Sequence, residues 1–464
     1  MVSTKQLEEG KITSLIMRFS GPAIVGMMVT SIYNVVDRIY IGQGVGTLAL
    51  AGVTVGFPVM LLIMALTSLV GVGATSLISI RLGEKKKDEA ERIMGNALVL
   101  LVILAVVISV LGLVFLDFLL LNFGATEQTL PYAREYMRII FAGIIFQVIS
   151  LGVNNFIRAE GNPKTAMITM VIGAIINVVL DPVFIFGFNM GVGGAALVTV
   201  FSQAVSTFWV LHYFFRDNSL LKFRRKNLRL RLYWVLNIVS VGLPAFFKQI
   251  STSLSVVILN NVLLKYGGDL AISAFGVSHS VSTLLMMPIF GISQGIQPII
   301  GYNYGAKQFE RVKKTLYYGI AMATVICLAG FAGISLFAKQ LVLIFNSSPE
   351  LLVMGSKALR INHAMLPILG FTIIGSNYFQ AVGKPRQAVV LNLARQVLLL
   401  IPLYFILSHF FMLDGVWAAK PAADGVTALL TAGAVFLEVR CFNQTKAEAD
   451  SRHQREQAKA CAGN

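Results

Sequence analysis

The chain has 464 residues and a formal net charge of +16; 56% of its residues are hydrophobic and only 13% are charged. Soluble domains carry about 25% charged residues, and the mean hydropathy here is +0.75. These values exclude a soluble enzyme, a disordered chain and a disulfide scaffold, and they predict an all-α polytopic membrane protein.

Long apolar stretches in chain order predict twelve transmembrane helices. About 20 apolar residues cross a bilayer core about 30 Å thick. The stretches are continuous and do not alternate with polar residues, so a β-barrel is excluded. The predicted spans cover residues 13–40, 48–80, 93–121, 132–157, 165–187, 192–215, 234–264, 271–302, 314–340, 351–380, 387–411 and 415–439.

Basic residues follow the even-numbered spans, for example Lys85, Lys86 and Lys87 after span 2 and Lys384 and Arg386 after span 10. Basic connections remain in the cytoplasm. We therefore expect both termini and every even-numbered connection to be cytoplasmic. The longest connection, residues 216–233, is expected to lie on the anionic leaflet, and no nucleic-acid partner is expected.

The two halves of the chain resemble each other at a spacing of about 222 residues. Gly161-Asn-Pro163 matches Gly383-Lys-Pro385, and Gly73 and Gly83 match Gly295 and Gly305. Each half contains six spans, so two lobes of parallel topology are predicted, related by a pseudo-two-fold axis along the membrane normal. The predicted units are an N-terminal lobe (1–215), a cytoplasmic linker (216–233), a C-terminal lobe (234–440) and a cytoplasmic tail (441–464). Such a pair of lobes favours a carrier over a channel.

Ionisable residues at membrane depth are costly and mark functional sites. At 1.5 Å per residue, Asp37 lies about 6 Å, Asp181 about 9 Å and Thr199 about 10 Å inside the outer helix ends. Asn177 shares a helix face with Asp181. The four side chains suit Na⁺, or the two carboxylates share one proton. The alternatives are an ion pair between Asp37 and Arg38 and a kink capped by Asp181.

The second lobe lacks both acids, because their counterparts fall near Leu259 and Leu403. It carries other charges instead. Lys420 and Asp424 are four residues apart, and in one interpretation their charges neutralise each other. Lys248 needs an ion-pair partner, such as Asp424, or else it contacts the substrate. Arg395 is expected to extend to the cytoplasmic surface.

Several other side chains are candidates for a substrate cavity. Methionine suits adaptable apolar cavities, although ordinary packing is the alternative. His279 is either a helix contact or a proton relay. The candidates besides the charged residues are Tyr33, Met27, Met60, Met64, His279 and Met286. In span 1, Pro22 and Gly26 permit a bend that protonation could favour or disfavour.

Four segments together resemble the multidrug and toxic compound extrusion (MATE) family: Tyr33-Asn-Val-Val-Asp37, Arg158-Ala-Glu-Gly161-Asn-Pro163, Asn177-Val-Val-Leu-Asp181-Pro182 and Gly383-Lys-Pro385. The resemblance covers about residues 10–440, and the missing second-lobe acids make it similar to the DinF-like and MepA-like prokaryotic branches. It implies a V-shaped two-lobe carrier in a bacterial or archaeal cytoplasmic membrane, with Asp37, Asn177, Asp181 and Thr199 as its coupling site. Lys248 and Lys420 depart from the family pattern and favour a substrate with a carboxylate, or a zwitterion.

These observations predict an exporter that exchanges an organic, amphipathic small molecule for H⁺ or Na⁺. Asp37 and Asp181 are the expected Na⁺ ligands, and no other cofactor is expected. The alternatives are a flippase for a lipid-linked or natural-product molecule, and a non-transporting receptor or channel. Enzymatic activity is not expected, since neither a nucleophile–base arrangement nor a phosphate-binding loop is visible. We expect the protein to act as a monomer in the lipid bilayer.

Overall fold

Helices long enough to cross a bilayer follow one another along the chain in a computed structural model that describes residues 4–215, 219–345 and 348–462. After a short helix, Thr4–Glu9, the first lobe contains spans 1 to 6. Span 3 is followed by the short helix Leu116–Asn122. The bounds of spans 1 to 6 are Ile12–Gly44, Leu48–Gly83, Lys87–Val114, Leu130–Ala159, Pro163–Gly187 and Gly191–Phe215.

The second lobe contains spans 7 to 12. Spans 7 to 9 are Leu232–Gly268, Leu270–Gly305 and Phe309–Leu343. Span 10 is bent by 48° between Pro349–Asn362 and Leu366–Ala381. The segment Pro385–Arg440 would be about 84 Å long as one straight helix at 1.5 Å per residue, far more than one bilayer thickness. It breaks at Met412, giving span 11 (385–411) and span 12 (413–440).

Among the described residues, ten helices are long and apolar enough to cross a membrane, or eleven with bent span 10 counted as one. The break at Met412 raises that number to twelve. The predicted fold class, twelve helices in two six-helix lobes, is confirmed. The connections after spans 2, 4, 6, 8 and 10 all lie at one end of the bundle, which we call the basic end.

The repeated Gly-x-Pro segments form equivalent helix boundaries in the two lobes. Gly161 and Gly383 have φ angles of +101° and +74°, a region that glycine enters without steric cost. Pro163 and Pro385 then occupy the first turn of the following helix, where the missing N–H costs nothing. The same local rule therefore ends span 4 and span 10.

The two lobes meet near the basic end through glycines. A Cβ atom on Gly83 would lie 1.9 Å from the carbonyl oxygen of Tyr302, and a Cβ on Gly305 would lie 2.1 Å from that of Ile80. Gly73 of span 2 packs in a similar way on the backbone of span 7, and Gly242 of span 7 packs on the backbone of span 2. Only residues without a side chain allow helix backbones to approach so closely. Gln297 adds a hydrogen bond to Ser76 at 2.9 Å.

Spans 5 and 11 each contain a π-helical turn next to a proline. The turns are Val183–Gly187, after Pro182, and Ala394–Leu400, before Pro402. Wider turns of this kind occur frequently at functional sites. In each lobe this helix supplies an ionisable residue at membrane depth, Asp181 in span 5 and Arg395 in span 11.

The linker between the lobes packs onto the first lobe. Arg224 forms an ion pair with buried Glu91 at 3.0 Å. The side chain of Asn96 accepts a hydrogen bond from the Arg231 N–H at 2.8 Å and donates one to the Asn227 carbonyl at 3.3 Å. Residues 216–218 of the predicted linker lie outside the described residues. The described part of the basic linker is thus bound to span 3 of the first lobe.

Candidate functional site

Spans 1, 5 and 6 place the four predicted coupling residues in one cluster, which we call the first-lobe site: Asp37, Asn177, Asp181 and Thr199. Asp181 is 0% exposed and Asn177 is 1% exposed. The Asn177 amide donates a hydrogen bond to the Thr199 hydroxyl at 3.3 Å. The carboxyl groups of Asp37 and Asp181 are close enough to interact directly. Residues separated by up to 162 positions in the sequence therefore meet in one cluster.

The first-lobe site contains more acceptors than donors. Asp37 Oδ1, Asn177 Oδ1 and both carboxylate oxygens of Asp181 are buried and have no hydrogen-bond partner among the described residues. Buried acceptors without partners are costly, and two neighbouring carboxylates cannot both remain ionised cheaply. These oxygen atoms can bind one added cation. It is either a proton shared by the two carboxylates or a metal ion bound by the oxygen atoms.

The predicted alternative for Asp37, an ion pair with Arg38, is not formed. The Arg38 guanidinium lies over the ring of Phe57, 5.5 Å from its centroid. In the described part of the chain no three His, Cys, Asp or Glu side chains are grouped to hold a metal ion. A Na⁺ ion would therefore need the Asn177 and Thr199 oxygens in addition to Asp37 and Asp181.

Two tyrosines complete the first-lobe site. Tyr33 is close enough to interact with the charges of both aspartates. Tyr136, from span 4, is 8% exposed and also interacts with Asp37, Asp181 and Thr199. Tyr33 was among the sequence candidates, but Tyr136 was missed, because a single tyrosine in an apolar span carries no pattern.

Span 1 runs as one continuous helix through Pro22. Gly26 allows close packing there, since a Cβ on it would lie 2.8 Å from the sulfur of Met170 in span 5. Span 1 thus contacts the helix that carries Asp181. A bend at Pro22 stays a prediction.

The second lobe contains a cavity of about 250 Å³, its open mouth included, which we call the second-lobe cavity. Arg395 pairs with Asp424 at 2.7 Å beside it. The expectation that Arg395 extends to the cytoplasmic surface is therefore wrong. The close ion pair of Asp424 is with Arg395, while Lys420 lies within electrostatic range of the same carboxylate. The lining residues are Ser282, Met286, Asn362, His363, Leu366, Leu369, Lys420 and Asp424.

Lys248 does not pair with Asp424. Its ammonium group lies over the ring of Phe290, 5.1 Å from the centroid. His279 stacks on Phe275 at 5.6 Å. The histidine in the cavity is instead His363, which hydrogen-bonds Ser282 at 2.6 Å and the Leu359 carbonyl at 2.9 Å. It was missed because His363 lies at the bend of span 10, which the apolar pattern does not reveal.

The predicted methionines occupy different surroundings. Met286 lines the second-lobe cavity. Met60 packs against the hydrophobic core, Met27 is half-buried, and Met64 is 44% exposed. These last three do not line the second-lobe cavity.

Comparison with known proteins gives one consistent result. A family model described as MatE matches residues 22–183 and 244–406, one match in each lobe. The chain is 29% identical to the multidrug export protein MepA of Staphylococcus haemolyticus over 423 residues, which are 91% of this chain and 93% of that protein.

Two solved structures show the same similarity in three dimensions. One is a MOP superfamily transporter from Pyrococcus furiosus, described as having a binding pocket of reverse polarity. It has a TM-score of 0.89 and 30% identity, covering 94% of this chain and 98% of that one. The other is the MATE multidrug transporter DinF-BH in complex with rhodamine 6G, with a TM-score of 0.87 and 40% identity over 92% and 96% of the two chains.

Proposed function

Because this chain belongs to the MatE family, we propose that it is a multidrug exporter whose driving cation, H⁺ or Na⁺, binds at Asp37 and Asp181. Its relatives are multidrug transporters and not enzymes, in agreement with the sequence-based expectation. The observation that carries the coupling assignment is the first-lobe site, where four buried carboxylate and amide oxygens have no partner among the described residues.

The basic end is proposed to face the cytoplasm. It carries Lys85, Lys86 and the linker bases, and basic connections remain on the cytoplasmic side. The glycine contacts between the lobes lie at this end. The conformation seen here is therefore closed toward the cytoplasm, and the first-lobe site lies toward the opposite side, from which the driving cation enters.

Cation binding changes the charge of the first-lobe site and so favours one conformation over another. With both acids ionised, the Asp37 and Asp181 carboxylates repel each other; a proton or Na⁺ removes that repulsion. Span 1 carries Asp37 and packs on span 5 through Gly26, so a change at the site is transmitted to a helix at the lobe interface. Substrate is released as span 1 and span 5 repack.

The test is efflux from proteoliposomes with rhodamine 6G as the reporter and with pH and Na⁺ gradients imposed separately. One gradient is expected to drive transport by the wild type. Asp181→Asn is expected to lose at least about 90% of the gradient-driven rate, because the repulsion that the cation relieves is gone. Asp117→Asn is the matched control, since Asp117 is an exposed carboxylate paired with Arg134.

Full gradient-driven transport by Asp181→Asn contradicts the coupling assignment. Ion current without substrate flux in the same liposomes indicates a channel instead.

A further inference from the structure

We propose that the second-lobe cavity binds a carboxylate group of the transported substrate through Lys420, with Lys248 beside it; this rests on the proposed export function. The transported class is then an amphipathic organic acid or zwitterion. The substrate anion and the driving cation occupy different lobes.

The balance of charge around the cavity carries the first step. Arg395 lies within electrostatic range of both Lys248 and Lys420, whereas among the described residues Asp424 is the one carboxylate that lines the cavity. In the described part of the chain neither Lys248 nor Lys420 forms a salt bridge. Buried charges are stable when paired, so this group of three cations and one anion is complementary to an added anion.

The hydrogen bonds at the cavity show which cation is available. Asp424 Oδ1 accepts a hydrogen bond from Arg395 Nε at 2.7 Å, and a terminal nitrogen of the same guanidinium lies 2.7 Å from that oxygen. Lys420 lies one turn before Asp424, so both side chains project from the same face of span 12. The Lys420 ammonium lines the cavity without a hydrogen bond to a described residue and has three donors to offer.

The other polar groups of the cavity are already engaged. The two ring nitrogens of His363 are used by Ser282 and the Leu359 carbonyl. The Asn362 amide donates to Ser278 at 3.4 Å. The Lys420 ammonium therefore lines the cavity beside neutral polar groups that already have hydrogen-bond partners. This arrangement favours a ligand that carries a negative charge.

Lys248 adds a second positive charge near the apolar wall. Its ammonium lies over Phe290, one turn after Met286, which lines the cavity. Leu366 and Leu369 continue that wall. The volume of about 250 Å³ includes the open mouth of the cavity, so the enclosed part holds a group the size of a carboxylate and not a whole drug-sized molecule.

The test compares two dyes that differ in this one group, rhodamine 6G, which is an ethyl ester, and its free acid. Equilibrium binding to the purified full-length protein in nanodiscs is measured by fluorescence anisotropy, without any gradient. The wild type is expected to bind the acid about tenfold more tightly than the ester, as a charge-assisted hydrogen bond predicts. Lys420→Met is expected to remove this preference by weakening the acid and leaving the ester unchanged.

Two further variants separate a charge effect from a folding defect. Lys420→Arg keeps the cation and is expected to keep the preference for the acid. Lys265→Met removes one exposed lysine near the end of span 7 and is expected to change neither affinity. The proposal is overturned if the wild type binds the ester as tightly as the acid, or if Lys420→Met weakens both dyes equally while remaining folded.

The outcome is independent of the coupling assignment. Asp181→Asn is expected to keep the preference for the acid at equilibrium even where it abolishes gradient-driven efflux. Full gradient-driven efflux by Asp181→Asn together with a retained preference for the acid refutes only the proposed coupling site. Gradient-driven efflux without that preference refutes only the carboxylate site.

Discussion

Gly83 and Gly305, 222 positions apart, contact each other's helices reciprocally. Gly83 packs on the carbonyl of Tyr302, and Gly305 packs on the carbonyl of Ile80, which is again 222 positions before residue 302. This pair of contacts lies across the pseudo-two-fold axis that relates the lobes. The sequence repeat thus produces matching contacts at the interface between the lobes, in addition to matching helices within each lobe.

Alanine at either glycine is expected to prevent closure of the basic end. The added Cβ would lie 1.9 or 2.1 Å from a backbone oxygen, and backbone cannot move aside as a flexible side chain can. We expect Gly83→Ala and Gly305→Ala to slow efflux by at least about tenfold, and to similar extents, because interiors are close-packed. The measurement is rhodamine 6G efflux together with the distance between spin labels on the two lobes.

Gly276→Ala is the matched control, since it lies in the same helix as Gly305 and a Cβ there meets nothing within 4 Å. Normal efflux by Gly83→Ala with unchanged label distances would show that the interface tolerates a methyl group.

The ion pair of Arg395 and Asp424 is expected to respond asymmetrically to the loss of each partner. Asp424→Asn leaves three neighbouring cations without their carboxylate, and breaking a buried pair costs about 3–5 kcal/mol. Arg395→Gln leaves Asp424 beside Lys420, whose charge compensates it. Thermal unfolding of the purified protein should therefore show a much larger loss for Asp424→Asn than for Arg395→Gln.

Lys357→Gln is the control for removing a cation, because its pair with Asp414 is about half exposed on both sides and contributes about 0–1 kcal/mol. Equal losses for the two variants of the buried pair would mean that Lys420 does not compensate Asp424.

Glu160, in the connection between spans 4 and 5, makes stability depend on pH. It is 4% exposed, accepts a hydrogen bond from the Tyr213 hydroxyl, and accepts another from the Leu221 N–H at 3.2 Å. Burial raises the pKa of its carboxyl to about 7, whereas an unfolded chain has a glutamate pKa of about 4.3.

The folded state therefore holds this proton more tightly than the unfolded state. Its contribution to stability is complete below about pH 4.3 and is lost as the pH rises to about 7. Glu160→Gln cannot titrate, so its melting temperature minus that of the wild type is expected to increase between about pH 5 and pH 8. A constant difference across this interval would contradict the raised pKa.

Asn96 is expected to be important for fastening the linker. It is 1% exposed and bonds both the Arg231 N–H and the Asn227 carbonyl. Asn96→Ala leaves both groups without a partner, at a cost of about 1–3 kcal/mol each. The melting temperature should drop clearly, and limited proteolysis should cut the linker faster.

Asn122→Ala is the comparison variant, because Asn122 is exposed and, among the described residues, bonds only the carbonyl of Phe118 in its own helix. It is expected to change stability by less than about 0.5 kcal/mol. Equal effects of the two variants would mean that the linker is held elsewhere.

The sequence predicted the fold well because the membrane imposes simple rules. Apolar length determines the spans, and the repeated Gly161 and Gly383 segments mark equivalent helix boundaries. Asp37 and Asp181 were found because carboxylates at membrane depth are conspicuous. Their common depth followed from the rise per residue of each helix, whereas the meeting of their side chains also required that the three helices face one another.

Other features depend on how helices rotate about their axes, which depth does not reveal. Arg395 lies 29 positions before Asp424, and no periodicity predicts that they pair. The bend of span 10 brings His363 into the second-lobe cavity, and Tyr136 enters the first-lobe site from span 4. Each of these contacts depends on packing between helices distant in sequence.

The attachment of the linker has a mechanical consequence. The N–H of Arg231 is held by Asn96 of the first lobe, and the first helix of the second lobe starts at the next residue, Leu232. Span 7 is thus a rod hinged at one end, about 55 Å long for its 37 residues. A tilt of about 10° moves its free end by about 10 Å but barely displaces the hinge. We therefore expect the second lobe to swing as a lever with its fulcrum at the basic end, where small rearrangements among glycines correspond to a wide opening on the opposite side.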